Sequence, residues 1–300
     1  SLKVISAISE KDTTKLNTLS ENNKEQIETL AETAIKNADA STESADLIAK
    51  VVTVASDELV NKLVEEVSKN STDENQALSA KVMKSIVETN PEKIEILSDE
   101  NKETMIAQTV EAAKNQVEGT TSDDTDLTNT IAEIVTKSDI GTAVKVLETL
   151  DEVSNESDSK LSLSVVSNLT KQENYEEKIE ILSIISSKTD QSITNLIEKA
   201  VSDATTKEDL DKITNIIENS KGVIANKIIN TANYDEDSKK KVSEVIIEII
   251  DKNPEKAVEI LEKNKDTKTV SEAIKTKIEK GDAISTDDFD DVFERNVTPN

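Results

Sequence analysis

Cysteine, histidine and tryptophan are absent from this chain of 300 residues, and aromatic residues make up only 1 % of it. Without histidine or cysteine, the chain has no Cys–His pair, no Ser–His–Asp triad and no imidazole for acid–base catalysis. Zinc sites built on nitrogen or sulfur ligands are excluded for the same reason. Carboxylate pairs such as Glu65–Glu66 occur, but 62 acidic residues produce such pairs by chance. We therefore predict a protein that is not an enzyme and that holds no cofactor or metal ion.

Positive charge is scarce relative to negative charge, and the formal net charge is −26. A chain so acidic repels nucleic acids and anionic lipid surfaces. No apolar run reaches the roughly 18–20 residues that a membrane-spanning helix needs. Acidic clusters such as Asp287–Asp291 lack the alternating ligands, central glycine and terminal glutamate of a calcium-binding loop. We expect no nucleic-acid partner, no membrane insertion, and only diffuse cations around the acidic surface.

The apolar residues are almost all Ile, Leu, Val and Ala, and they recur with the period of a helix. Leu59, Leu63 and Val67 share one predicted helix face, and residues 242–250 carry another such face. Asp, Ser, Thr or Asn interrupts the pattern roughly every 12–18 residues, as expected for helix N-caps. This regular periodicity argues against disorder despite the high charge. We predict an all-α fold.

An internal repeat of about 80 residues runs through the chain. The run Glu92–Leu97 recurs as Glu177–Leu182 and again, slightly altered, as Glu255–Leu261. A second marker, Ala143–Thr149, recurs as Ala225–Thr231 at a similar spacing. Two independent markers with the same spacing indicate a repeated structural unit rather than a chance match.

The repeat predicts a right-handed α-solenoid of short antiparallel helices, which resembles the HEAT and armadillo class in module length and helix count. Each unit is expected to hold about five helices, arranged as a two-helix and a three-helix module of about 40 residues each. In one unit the helices are expected to start near Thr125, Asp139, Asp158, Tyr175 and Gln191. The expected solenoid, residues 1–284, divides into a partial unit at 1–38 and units near 41–117, 124–204 and 207–281.

The two ends of the chain depart from the repeat. The first helix begins part-way through a unit, so we expect it to expose a face that packs against a neighbour in the other units. The segment 285–300 contains both phenylalanines of the chain, on one predicted face of an amphipathic helix. This helix either caps the last repeat or docks on a neighbouring subunit. The candidate subunit-interface residues are Phe289, Val292, Phe293 and Val297 at one end, and Val4, Ile5 and Ile8 at the other.

These features together predict a structural protein, a subunit of a head-to-tail filament or surface layer whose partner is a second copy of the chain. The acidic, cysteine-free composition suits an extracellular or cell-surface location, with a cytoplasmic one as the alternative. Two other functions stay open: a monomeric scaffold that binds a protein or peptide, and a spacer within a longer repetitive surface protein.

Four Asn-X-Ser/Thr sequons occur, at Asn70, Asn155, Asn168 and Asn296. The chain is rich in Asn, Ser and Thr, so such triplets arise by coincidence. They would matter only in a protein that passes through a glycosylating compartment.

Overall fold

The computed structural model of the chain describes residues 29–30, 32–71, 77–119, 126–155, 160–220, 222–230 and 234–252. Within these ranges the backbone forms helices and the turns that join them, and it forms no strand. The all-α prediction is therefore confirmed. The helices fall into two compact units, Ser1–Leu161 and Ser162–Asn300.

The first unit runs through short helices in close succession, after a helical stretch at residues 32–36. They are α1 (Thr42–Val54), α2 (Asp57–Asn70), α3 (Ala77–Thr89), α4 (Glu92–Glu95), α5 (Asp99–Val117), α6 (Leu127–Lys137) and α7 (Ile140–Asn155). Helix α3 packs on α1, α5 and α6, and α5 packs in turn on α7. The principal contacts of this unit therefore join helices that are close in chain order.

The second unit begins within α8 and has the same kind of short helices. They are α8 (Leu161–Leu169), α9 (Tyr175–Ile185), α10 (Ser187–Asp203), α11 (Lys207–Asn219), α12 (Val223–Asn230) and α13 (Glu236–Lys252). Helix α9 packs on α10 and α12, whereas α13 packs on α10 and α11. Here too, the principal contacts join helices at most three positions apart along the chain.

Side-chain oxygens begin several of these helices, as the sequence predicts. Asp126 accepts a hydrogen bond from the Asn129 N–H at 3.0 Å, and Thr206 forms a reciprocal capping box with Asp209. Each such cap stabilises a helix by about 1 kcal/mol. Ser186 likewise accepts from the Thr189 N–H at 3.0 Å, so α10 starts four residues before the predicted Gln191.

The core is aliphatic. The predicted faces at Leu59, Leu63 and Val67 and within residues 242–250 are buried, which confirms both. A buried aromatic residue, Tyr175, has a hydroxyl that donates to the Asn219 carbonyl at 3.3 Å and so joins α9 to the end of α11. Burial raises the pKa of Tyr175 to about 12. The small share of aromatics therefore leaves Ile, Leu, Val and Ala to fill the seams between the helices.

Polar side chains connect the helices of the first unit at a recurring sequence distance. Asn70 Nδ2 donates to the carbonyls of Ile35 at 2.7 Å and Ala38 at 2.9 Å, which lie 35 and 32 residues earlier. Lys81 Nζ donates to the Ala40 carbonyl at 2.6 Å, 41 residues earlier. Both side chains thereby tie α2 and α3 to the segment that precedes α1.

Asn61 on α2 is the centre of a similar connection. Its Oδ1 accepts from the Ser98 N–H at 2.6 Å, and its Nδ2 donates to the Ile96 carbonyl at 3.2 Å. Asn101 Nδ2 donates back to the Asn61 carbonyl at 2.9 Å, across 40 residues of sequence. In the second unit, Lys241 Nζ donates to the Ser202 carbonyl at 2.8 Å, 39 residues earlier. The recurring separation is about half of the 80-residue sequence repeat.

One pair of substitutions on a single helix tests the assignment of the core. Ile179→Ala removes a side chain that is 1 % exposed, and we expect it to lower the free energy of unfolding by about 2–5 kcal/mol. The same change at Ile184, which is 79 % exposed, should alter that free energy by less than about 0.5 kcal/mol. Denaturant unfolding followed by circular dichroism measures both. Equal costs at the two positions would contradict the orientation of α9.

The Asn61 connection gives a second test. Asn61→Ala leaves the Ser98 N–H and the Ile96 carbonyl without their partner, and because water can reach these groups we expect a loss of about 0.5–1.5 kcal/mol in the free energy of unfolding. Asn61→Asp keeps the acceptor for the Ser98 N–H and should lose less. Chemical denaturation of both variants is the measurement, and an unchanged stability for Asn61→Ala would show that the connection is not stabilising.

Candidate interaction surface

The interface residues that the sequence predicts lie outside the described residues. These are Phe289, Val292, Phe293, Val297, Val4, Ile5 and Ile8. Their part in subunit contacts stays a prediction. The described residues nevertheless contain a different apolar surface, which the sequence did not single out.

Three isoleucines on α9 are exposed side by side. Ile181 is 38 % exposed, Ile184 79 % and Ile185 51 %. Their spacing of i, i+3 and i+4 places them on one face of the helix, and we refer to them as the isoleucine face. A single exposed aliphatic residue is ordinary on a protein surface, but a contiguous group of them marks an interaction site.

The opposite side of α9 is packed in the core. Ile179 and Leu182 are buried there, at 1 % and 0 % exposure, and α9 packs on α10 and α12. The C-terminal half of the helix, residues 181–185, is thus apolar on both sides, whereas its first half carries charged residues. Only the packing shows which of the two sides remains open.

A comparison of repeat copies shows where the exposed isoleucines come from. Ile94 and Leu97 in the first run occupy buried positions, as do Ile179 and Leu182 in the second. The first run is followed at once by Ser98, which caps α5. The two copies therefore bury the same two positions of the run, although the first run forms a helix of four residues and the second lies in a helix of eleven.

Beyond the final leucine of the run the two copies differ. Helix α9 continues through Ser183, Ile184 and Ile185 before Ser186 caps the next helix. In sequence, the third run continues from Leu261 into polar residues. Two of the three exposed isoleucines thus lie in a three-residue extension that the first copy lacks. The aligned copies are the sequence evidence from which this surface could have been found.

Negative charge flanks the isoleucine face on one side only, because Glu177 and Glu180 precede it by one helical turn. Residues 181–189 contain no acidic side chain and one lysine, Lys188, in a chain whose formal net charge is −26. The polar residues between the isoleucines and Lys188 are serines. Contact between two acidic molecules is opposed by like-charge repulsion, and a stretch without carboxylates reduces that cost.

Two carboxyl groups of the described residues, Asp39 and Asp139, have pKa values shifted in the direction that does not suit acid catalysis. A general acid near neutral pH needs a raised carboxyl pKa. Hydrogen bonds from the Ser41 and Ser44 hydroxyls instead lower the pKa of Asp39 to about 2. At Asp139, burial acts to raise the pKa, but hydrogen bonds from Thr142 outweigh it and hold the pKa of that carboxyl below its ordinary value. Both carboxyls act as helix-end acceptors.

Glu66 is a buried carboxylate with two lysine partners. Lys69 Nζ lies 2.7 Å from Glu66 Oε1, and Lys36 Nζ lies 3.6 Å from Oε2. The hydrogen bond from Lys69 holds the pKa of the Glu66 carboxyl below its ordinary value, although burial acts in the opposite direction. The group is an ion pair within the fold rather than a site for chemistry.

The described sequons differ in accessibility. The Asn70 amide donates to two carbonyls, and Asn168 is buried and accepts from Lys171 Nζ at 3.0 Å. Asn155 is exposed, whereas Asn296 lies outside the described residues. A glycan on Asn70 would displace a donor that the helix packing uses, so Asn70 is a structural residue.

Comparison with known proteins leaves the function to be inferred from the molecule itself. No protein-family model matches the chain, and no curated protein matches it in sequence. Within the described ranges, no group of three or more His, Cys, Asp or Glu residues is placed to hold a metal ion. No helix of the described residues is both long and apolar enough to cross a membrane. The isoleucine face is the most distinctive surface of the described residues.

Glu66 gives a prediction about pH. Its folded-state pKa lies below the ordinary value of 4.5, so the ion pair stabilises the fold fully above that pH and loses this effect as the pH falls through the folded-state pKa. We expect Glu66→Gln to lower the stability at pH 7 by about 1–2 kcal/mol, and the difference from the parent to vanish in acid. Thermal unfolding between pH 7 and pH 3 measures it.

The neighbouring glutamate supplies the control. Glu65 also pairs with Lys69 at 2.7 Å, but its side chain is largely exposed, so Glu65→Gln should have a much smaller effect. A pH-independent difference for Glu66→Gln would contradict the role given to its charge.

Proposed function

We propose that this chain is a structural subunit that assembles with copies of itself into an extended filament or surface layer outside the cell. The observation that carries the proposal is the isoleucine face, three exposed isoleucines side by side on one helix of an acidic molecule. Exposed apolar groups of this kind are retained where another macromolecule covers them. The proposed partner is a second copy of the chain.

The proposed architecture is a right-handed α-solenoid of the HEAT and armadillo type. Two observations support it within each unit. The principal contacts join helices no more than three apart in chain order, and the polar connections recur about 40 residues apart. Both are expected when modules of about 40 residues stack on their nearest neighbours. A single thick core would also bring distant helices together.

Assembly into an open structure follows from the kind of contact. The isoleucine face covers one side of one helix, and it would pack against a different surface of the next copy. Such a heterologous contact continues from copy to copy unless the rotation happens to close a ring. The absence of histidine and cysteine supports the same conclusion, because it removes the common routes to catalysis.

A monomeric scaffold for a protein or peptide is the second candidate. The same isoleucine face supports it, because a helical partner commonly presents anchors with i, i+3 and i+4 spacing to an apolar surface. The net charge of −26 would favour a basic partner. Glu177 lies one helical turn before Ile181, so an acidic side chain stands next to the face.

The concentration and salt dependence of the full chain test the proposal. We expect species larger than a dimer to form as concentration rises, and to form more readily at 150 mM than at 10 mM salt. The added salt shortens the Debye length from about 30 Å to about 8 Å and so screens the repulsion between acidic copies. Sedimentation velocity and negative-stain electron microscopy provide the measurement. A chain that stays monomeric in both buffers at high concentration would overturn the proposal.

A further inference from the structure

We infer that Lys145 and Lys227 are equivalent positioning residues, each of which sets the second helix of one sequence repeat against the last helix of the repeat before it. The inference concerns the order of repeats within one chain, so it does not depend on the proposed self-assembly. Both lysines and their carboxylate partners belong to the described residues. One pair lies inside each of the two compact units.

The two lysines occupy the same place in their repeats. The second sequence marker aligns Ala143–Thr149 with Ala225–Thr231 and so matches Lys145 to Lys227. The burial patterns agree with this alignment, because each helix buries three apolar residues at the same offsets from its lysine: Ala143, Val146 and Leu147 on α7, and Ala225, Ile228 and Ile229 on α12. The equivalence therefore holds in the structure as well as in the sequence.

Each lysine pairs with a carboxylate on the last helix of the preceding repeat. Lys145 Nζ is paired with Glu103 on α5, and Lys227 Nζ lies 2.8 Å from Asp190 on α10. The two acceptors are also equivalent, because the helices bury apolar residues at the same offsets from them: Ile106, Val110 and Ala113 on α5, and Ile193, Ile197 and Ala200 on α10. The same ion pair thus recurs at the same seam in successive repeats.

The seam between α10 and α12 holds its lysine at two points. The Lys227 side chain is 18 % exposed, and its Nζ also donates to Thr194 Oγ1 at 2.7 Å. Asp190 and Thr194 are one turn apart on α10, so both partners lie on the same face of that helix. A lysine bound to two groups on one face limits how far α12 can slide along α10.

The seam between α5 and α7 has a second charge contact of the opposite sense. Lys102, which is next to Glu103 on α5, is buried, and its charge acts on Asp139 at the start of α7. Helix α5 therefore offers a positive and a negative group, which meet a negative and a positive group at α7. Sliding of α7 along α5 would separate both pairs.

Charge pairs supply information that the apolar core lacks. The repeats bury similar aliphatic residues at matching positions, so apolar packing alone distinguishes poorly between a correct and a shifted arrangement. Misassembly is a characteristic failure of repeat proteins. A partly exposed ion pair adds little net stability, but a shifted arrangement that leaves its charges unpaired is disfavoured. The pairs thereby select the position of each helix.

Double-mutant cycles at the two seams test the inference. One cycle consists of Lys227→Met, Asp190→Asn and the double variant, and the other of Lys145→Met, Glu103→Gln and the double variant. We expect a coupling of about two- to fivefold in the unfolding equilibrium constant at both seams, as for partly exposed ion pairs. Chemical denaturation at low salt measures it. Absence of coupling at either seam would overturn the equivalence.

Charge reversal separates positioning from general stabilisation. Lys227→Glu places a like charge opposite Asp190, and we expect the amides of α12 to exchange with solvent about tenfold faster at low salt. Adding Asp190→Lys should restore most of the protection. The matched control is Lys240→Glu, which removes an exposed partner of Glu244 within α13 and should leave the exchange of α12 unchanged.

Two outcomes of the reversal would contradict the inference. One is a double reversal whose α12 amides exchange as fast as those of Lys227→Glu alone. The other is a control that accelerates exchange in α12 as much as Lys227→Glu does, because the effect would then come from the added negative charge rather than from the position of the pair.

Discussion

Aliphatic contact between neighbouring helices is the interaction on which the rest of this structure depends. Ile, Leu, Val and Ala side chains from facing helices fill the seams between them and provide most of the buried apolar surface. Helix α3, for example, packs in this way on α1, α5 and α6. Asn61 and Asn70 add hydrogen bonds from α2 to backbone groups of neighbouring segments. The packing of neighbouring short helices thus depends on the aliphatic composition.

The helices could be predicted closely from the sequence, because their faces and caps are local properties. The buried face at Leu59, Leu63 and Val67 follows from apolar spacing alone. The start of α10 was placed too late, at Gln191, because Ser186 and Ser187 are followed by Thr189 and Asp190 and any of them could cap a helix. In the structure Ser186 is the N-cap, and its hydroxyl oxygen accepts a hydrogen bond from the Thr189 N–H.

The exposed surface on α9 does not follow from local periodicity, although the alignment of the repeat copies does single out the extension at residues 183–185. Ile179, Leu182 and Ile184 are equally apolar in sequence, and periodicity does not say which side of a helix faces the core. That choice depends on α10 and α12, which pack against one side only. The polar connections cannot be predicted from local sequence either, because Asn70 and Lys81 donate to carbonyls more than 30 residues away in the chain.

The short span of those connections has a mechanical consequence. Asn70 is bound to Ile35 and Ala38, and Lys241 to Ser202, so each connection closes a loop of only about 40 residues. Tension along the chain would be resisted by one small group of helices at a time. The molecule would then yield in separate steps, each releasing a short length of chain, and it would recover by refolding locally.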